Sequence, residues 1–296
     1  MRPEDLAVPG VEVEHRYVNA RGLRMHVALA GPEGGDPVVL VHGWPQHWWI
    51  WRGVIPKLVD AGYRCICPDL RGHGWSDAPP DGYEKEQFAT DVLAALDELG
   101  VERFKLIGHD WGAFASFLIA LRAPERVERL LALSIIHPWI RRQGGPIELV
   151  KGLLGASYQF VIASPVLGRQ VVQRTPLIKT VFSRGSAHGL PDDVSRAYAD
   201  RWKQPDRASA TVAIYRAFLL RELNAILRGC YRNNRLRVPT VLVYGARDPV
   251  INSERLAGWE EHADDMRMVK IDDAGHFLPD EQPDLVAEQA LALFSR

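Results

Sequence analysis

The chain has 296 residues, a formal net charge of −1 and a composition that is 47% hydrophobic. That is apolar material for one large core, with or without an insertion, and a near-neutral balance that gives no electrostatic footing on nucleic acid or an anionic membrane. No apolar run reaches membrane-spanning length, and residues 1–10, with acids and prolines, lack a signal-peptide core. Three cysteines make no disulfide framework. Cys65 and Cys67 fall on an expected strand and read as free core thiols, so a cytoplasmic location is expected.

In chain order, residues 11–18 and 23–30 read as strands around a turn at 19–22. Residues 38–41 form a continuous apolar run, the pattern of a strand covered on both faces. A helix is expected within 48–61, a strand at 63–67, an amphipathic helix at 88–99 and a strand at 130–135. The alternation breaks at His137-Pro138. From there to about Arg235 the pattern gives helices and loops only, punctuated by Gly144-Gly145-Pro146, Ser164-Pro165 and Gly189-Leu190-Pro191. Strands return at 241–244 and 266–271, with helices expected near 253–259 and at 283–294. The fold class is therefore α/β, a doubly wound, mostly parallel sheet. Residues 1–137 and 236–296 make its core, and 138–235 form a helical insertion. The apolar stretches 152–161 and 165–172 within the insertion are expected to offer greasy surface to a substrate.

Residues 104–107 read as a buried strand and 113–121 as a buried helix, and Gly108-His109-Asp110-Trp111-Gly112 turns the chain between them. Asp110 stands at the apex, with glycine two before and two after it, where the backbone is crowded or strained. The G-x-S-x-G turn of hydrolases presents a serine in the same way. A competing role for such an aspartate is an ordinary helix cap. Two further strand ends carry polar side chains. Asp248, in Gly245-Ala246-Arg247-Asp248-Pro249, follows one, and His276, in Ala274-Gly275-His276-Phe277, follows the other. Ligands of open parallel sheets bind beyond the carboxyl ends of the strands, so all three belong on one edge. Their chain order is nucleophile, acid, histidine.

An aspartate nucleophile changes the chemistry. A carboxylate attacks acyl carbon unproductively, because the anhydride collapses back. It displaces well at a strained or activated sp³ carbon and is left as an alkyl ester. His276, oriented by Asp248, then activates water against that ester. The backbone N–H groups of Trp44 and Trp111 are the expected oxyanion donors. Epoxides and alkyl halides are favoured over esters.

His42-Gly43-Trp44-Pro45, Gly108-His109-Asp110-Trp111-Gly112, Arg247-Asp248-Pro249 and Gly275-His276-Phe277 occur in order at strand ends. With these the chain resembles the α/β-hydrolase superfamily over nearly its whole length, and within it the epoxide hydrolase branch. The resemblance implies an α/β-hydrolase fold whose insertion is a helical cap, and a hydrolase that opens an epoxide to a 1,2-diol. It implies no cofactor and no metal, with a small hydrophobic epoxide and water as partners. It also implies two cap tyrosines that bond the epoxide oxygen. Residues 138–235 contain Tyr158, Tyr198, Tyr215 and Tyr231. Tyr158, followed by Gln159, matches the first. Tyr215-Arg216 and Tyr231-Arg232 both match the second, and Tyr231-Arg232-Asn233 is the closer local match. Tyr215, 24 residues before Pro239, has the spacing suited to a helix facing the site, and Tyr231, eight before it, is the alternative. A haloalkane dehalogenase with the same triad and Trp111 as halide donor stays open, as does a non-catalytic binding member of the fold. His42 and His109 read as structural. The identity of the epoxide and the oligomeric state, a homodimer included, stay open.

Overall fold

The computed structural model describes residues 1–140, 157–251 and 253–296. Its sheet comprises β1 Val13–Ala20, β2 Leu23–Ala30, β3 Asp36–Val41, β4 Tyr63–Pro68, β5 Phe104–His109, β6 Val127–Leu133, β7 Thr240–Gly245 and β8 Met266–Ile271. Their spatial order is β1-β2-β4-β3-β5-β6-β7-β8. β2 runs antiparallel to β1 and β4, and every pairing from β4 to β8 is parallel. The apolar runs of β3 and β7 follow from cover on both faces. Val39 and Val41 join one buried cluster, and Val38 and Leu40 join the other.

Helices α1 Ile55–Asp60, α2 Lys85–Glu98 and α3 Trp111–Arg122 precede β6. Between β6 and β7 come α4 Ser157–Ala163, α5 Leu167–Arg174, α6 Leu177–Gly185, α7 Asp192–Trp202, α8 Pro205–Ala217 and α9 Leu223–Leu227, with a π-helical turn Phe218–Glu222 before α9. After β8 come the short α10 Leu278–Glu281 and α11 Pro283–Phe294. Aromatic and apolar residues of α2 and α3, such as Phe88 and Phe114, fill one face of the sheet. Ile55 and Leu58 of α1 and Val286 and Leu293 of α11 fill the other. No helix among the described residues is long and apolar enough to cross a membrane.

Several boundaries depart from the sequence pattern for local reasons. β6 starts earlier than 130–135 because Val127 already pairs with Phe104 of β5, and it ends earlier because Ser134 adopts φ 50 and turns the chain. The expected helix within 48–61 is a 3₁₀ segment, Trp48–Gly53, followed by α1. That expected near 253–259 is a single 3₁₀ turn, Ser253–Leu256. α2 begins at Lys85, three residues before the apolar pattern does, because Glu222 accepts the Lys85 backbone N–H at 2.7 Å.

Helices α7 and α8, between β6 and β7, pack over the carboxyl edge of the sheet. The Trp202 indole donates to the Pro45 carbonyl at 2.5 Å, Arg201 to that of Gly74 at 2.6 Å, and the Trp44 indole to Thr211 at 3.2 Å. The Gly144-Gly145-Pro146 break and residues 152–156 lie outside the described residues. In the remainder of the two apolar stretches Val172 is buried, whereas Phe160, Val161, Val166 and Leu167 are exposed. Much of that greasy surface thus faces solvent.

Candidate active site

The turn from β5 into α3 places Asp110 at φ 51 and ψ −127, a conformation that costs an L residue of order 1–3 kcal/mol. Its neighbours have no room for side chains. A Cβ on Gly108 would meet Ala113 and Ser116, one on Gly112 the carbonyls of Val41 and His42, and one on Gly43 the Asp110 carboxylate itself. Asp110 occupies the N-cap position of α3, yet its side chain makes no cap hydrogen bond. The carboxylate is turned to the sheet edge instead. The Trp44 backbone N–H donates to Oδ1 at 2.9 Å, and Oδ2 lies 3.5 Å from Nε2 of His276. Trp111 opens α3, so its N–H is among the orphan donors of that helix start.

His276 follows β8 and Asp248 follows β7. His276 Nδ1 and Asp248 Oδ2 are 2.8 Å apart. Asp248 Oδ1 accepts from the N–H groups of Val250 at 2.7 Å and Ile251 at 3.0 Å, so both its oxygens are committed. In this pairing His276 keeps its Nδ1 proton and donates it in a hydrogen bond to Asp248, which turns Nε2 towards Asp110. Burial alone would lower the imidazole's pKa. The Asp248 charge and the hydrogen bonds to Asp110 and Asp248 outweigh it and hold the pKa well above the ordinary value.

The histidine loop is held from several sides. His276 N–H donates to the Gly185 carbonyl at 2.7 Å, and His109 Nε2 donates to the His276 carbonyl at 2.8 Å. Burial pushes the His109 pKa down to about 4, so it serves as a neutral strut. Glu281 accepts the N–H groups of Gly275 at 3.0 Å, Phe277 at 2.9 Å and Ala187 at 2.7 Å. His42 accepts the Leu70 N–H at Nε2, 3.0 Å, which leaves Nδ1–H to donate to the Gly43 carbonyl, also at 3.0 Å. It thereby fixes the loop that carries the Trp44 donor.

The tyrosines separate clearly. Tyr158 and Tyr215 meet edge to face with ring centroids 6.1 Å apart, and both pack on Trp44, at 6.5 and 5.0 Å. Tyr215 is buried, and burial first, then the nearby Tyr158 and Asp110, hold its phenol well above the ordinary pKa. Hydrogen bonding from the Trp111 side chain pulls the other way. Tyr231 lies elsewhere: its hydroxyl donates to Glu86 at 2.7 Å and its ring packs on Phe114. Tyr198 is enclosed by Asp280 and Arg52, donating to the first at 3.3 Å and accepting from the second at 3.2 Å.

Sequence reasoning missed two groups here. Lys85 is buried, pairs with Glu222 at 2.7 Å and sets its ammonium 4.4 Å over the Trp111 ring. Glu281 organises the histidine loop. Both stand in charged helix starts, Glu84-Lys85-Glu86 and Pro279-Asp280-Glu281, which read as solvated.

A twisted, mostly parallel sheet with an acid–histidine pair and a strained carboxylate at its carboxyl edge defines an α/β hydrolase. The chain matches the family model for the alpha/beta hydrolase fold over residues 36–283 and belongs to that family. Within it, the chain resembles the epoxide hydrolases. It is 32% identical over 285 residues to the AB hydrolase superfamily protein YfhM of Bacillus subtilis (strain 168), covering 94% of this chain and 97% of that protein. It is 29% identical over 290 residues to the soluble epoxide hydrolase of Corynebacterium sp. (strain C12), covering 96% and 98%. The solved structure of the epoxide hydrolase CorEH without ligand superposes with a TM-score of 0.84 at 28% identity, covering 96% of this chain and 99% of that one.

Proposed function

We propose that the protein is an epoxide hydrolase that converts a small hydrophobic epoxide to a 1,2-diol through an ester on Asp110. The observation that carries this reading is the Asp110 carboxylate. It leaves the helix uncapped, takes the Trp44 N–H on one oxygen, and turns the other towards His276. In this reading residues 138–235 are the cap, and residues 1–137 with 236–296 are the hydrolase core.

In the first step Asp110 Oδ2 attacks a ring carbon, and the C–O bond to the epoxide oxygen breaks. Tyr215 and Tyr158 hydrogen bond that oxygen, and one of them gives it a proton. In the second step His276 Nε2 takes a proton from water, whose oxygen attacks Cγ of the ester. The Trp44 and Trp111 backbone N–H groups hold the resulting oxyanion. The acyl–oxygen bond then breaks, His276 returns its proton to the departing alkoxide to give the diol, and the restored carboxyl group, one of whose oxygens comes from water, releases the second water proton to the tyrosinate left by the first step. Only water and side chains take part. Once Asp110 is esterified its charge is gone, the His276 pKa falls, and the imidazole is free to act as base.

The two phenols packed on Trp44 favour an epoxide over an alkyl halide, because an alkoxide needs a proton donor and a halide does not. Electrospray mass spectrometry of His276→Gln under excess styrene oxide is the test. The expected result is a protein heavier by one epoxide, with the adduct on Asp110 in the peptide map. An unmodified mutant, beside a wild type that releases bromide from 1-bromobutane and forms no diol, would replace this reading with that of a haloalkane dehalogenase.

A further inference from the structure

Lys85 takes no part in the two steps above, yet it is a buried cation beside the site. Its ammonium lies 4.4 Å over Trp111 and 5.5 Å from the Phe218 ring, and these two rings pack 4.6 Å apart. Glu222 holds it with both carboxylate oxygens, one on the ammonium and one on the Lys85 backbone N–H, each at 2.7 Å. Glu222 closes the π-helical turn that continues directly from α8, the helix of Tyr215. Beside this pair, Arg221 of the same turn bridges to Glu84. The start of α2 therefore grips the stretch of chain that follows Tyr215.

We infer that Lys85 and Glu222 are positioning residues for the ring-opening acid: by tying the start of α2 to the turn that continues from α8, the pair holds the helix of Tyr215 in place, with its ring packed on Trp44 and Tyr158. A slip of the turn would be passed along α8 to Tyr215, and a proton transfer requires its phenol in register with the breaking C–O bond.

This inference rests on the epoxide hydrolase reading, and the experiment separates the two. Single-turnover alkylation by styrene oxide, followed by tryptophan fluorescence, is compared in wild type, Lys85→Met/Glu222→Gln, Tyr215→Phe and the triple variant. The paired substitution removes both charges together and strands neither, and thermal melts check folding. If the pair acts through Tyr215, its loss slows alkylation by about tenfold when Tyr215 is present and by less than about twofold when it is Phe, where Tyr158 carries the residual rate. Glu222→Gln alone, which keeps a hydrogen-bonding side chain, should fall between wild type and the paired variant. Equal losses in both backgrounds, or no loss in either, would overturn the positioning role while alkylation of the wild type upheld the parent reading. A folded wild type that no epoxide alkylates would overturn both.

Discussion

At Gly43 a single methyl group decides whether Asp110 can stand where it does, since an added Cβ would overlap its carboxylate and crowd the His109 carbonyl. Gly43→Ala should fold with a loss of about 1–3 kcal/mol, and should alkylate at least about 100-fold more slowly because Asp110, the proposed nucleophile, is displaced. Single-turnover rates beside urea melts would show it, and a normal rate would mean that the elbow has slack the packing does not suggest. The tyrosines make a second residue-scale test. Tyr215→Phe should slow ring opening by about 10²-fold. Tyr231→Phe should instead act on stability, by about 1 kcal/mol for its bond to Glu86. If Tyr231→Phe is the change that stops alkylation, the second acid has been misassigned. For His276 the sign of the pH effect follows from its partners. Its pKa is held high while both Asp248 and Asp110 are charged. It must be neutral to take a proton from water, so hydrolysis of the ester should fail as pH drops. Because the ester is uncharged, that acid limb should lie below the pKa of His276 in the resting enzyme, measured by imidazole NMR. Coincidence of the two values would mean that the Asp110 charge contributes nothing.

At the scale of elements, the short helix α10 sets the loop that carries His276, the proposed base. Glu281 takes three backbone N–H groups, two of them flanking His276 and the third, Ala187, lying just past α6. Hydrogen bonds to a charged acceptor contribute about 1.5–3 kcal/mol each. Glu281→Ala should therefore cost about 3 kcal/mol or more in a denaturant melt and should slow ester hydrolysis more than alkylation. Equal slowing of both steps would point to general loosening of the site. The sequence showed the strands and the three strand-end residues but neither Glu281 nor Lys85, and the reason is physical. A strand covered on both faces must be a continuous apolar run, so β3, β5 and β7 announce themselves, and a polar residue just past such a run stands out. α11 could be read to its observed ends because Pro283 opens it and its apolar face is regular. Glu281 and Lys85 are charged residues at helix starts, where charge is ordinary. What makes them special is a partner 94 residues away in one case and 137 in the other. Tyr215 and Tyr231 show the same limit: the local match favours Tyr231 and the spacing to Pro239 favours Tyr215, and the structure packs Tyr215 on Trp44 and Tyr231 on Phe114.

For the whole molecule, the loops at the carboxyl edge are tied together by imidazoles that must stay neutral. Burial lowers the pKa of His42 and His73, and takes His47 to about 3 and His109 and His137 to about 4. In the unfolded chain each would titrate near 6.5. As pH falls below that value, the unfolded state gains protons that the folded state refuses, so each histidine withdraws stability at up to about 1.4 kcal/mol per pH unit. His276 has the opposite sign. Its folded pKa is raised, so it is protonated in both states below 6.5 and adds no slope there; its stabilising share is lost at higher pH, as pH rises through the folded value. Asp69, held low by His26 and His42 despite its burial, acts later, losing its contribution only as pH falls below the ordinary carboxylate range. Against a net stability of about 5–15 kcal/mol, several histidines acting together are enough to unfold a domain. The acid transition should therefore begin between about pH 6 and 5, before the carboxylates titrate, and the urea midpoint should fall steadily from pH 7 to 5 at constant m-value. A midpoint that stays flat to pH 4.5 would show that carboxylates, and not the buried imidazoles, set the acid limit. The dependence follows from how the site is built: the struts that aim Trp44 and His276 at Asp110 are the groups that acid would charge.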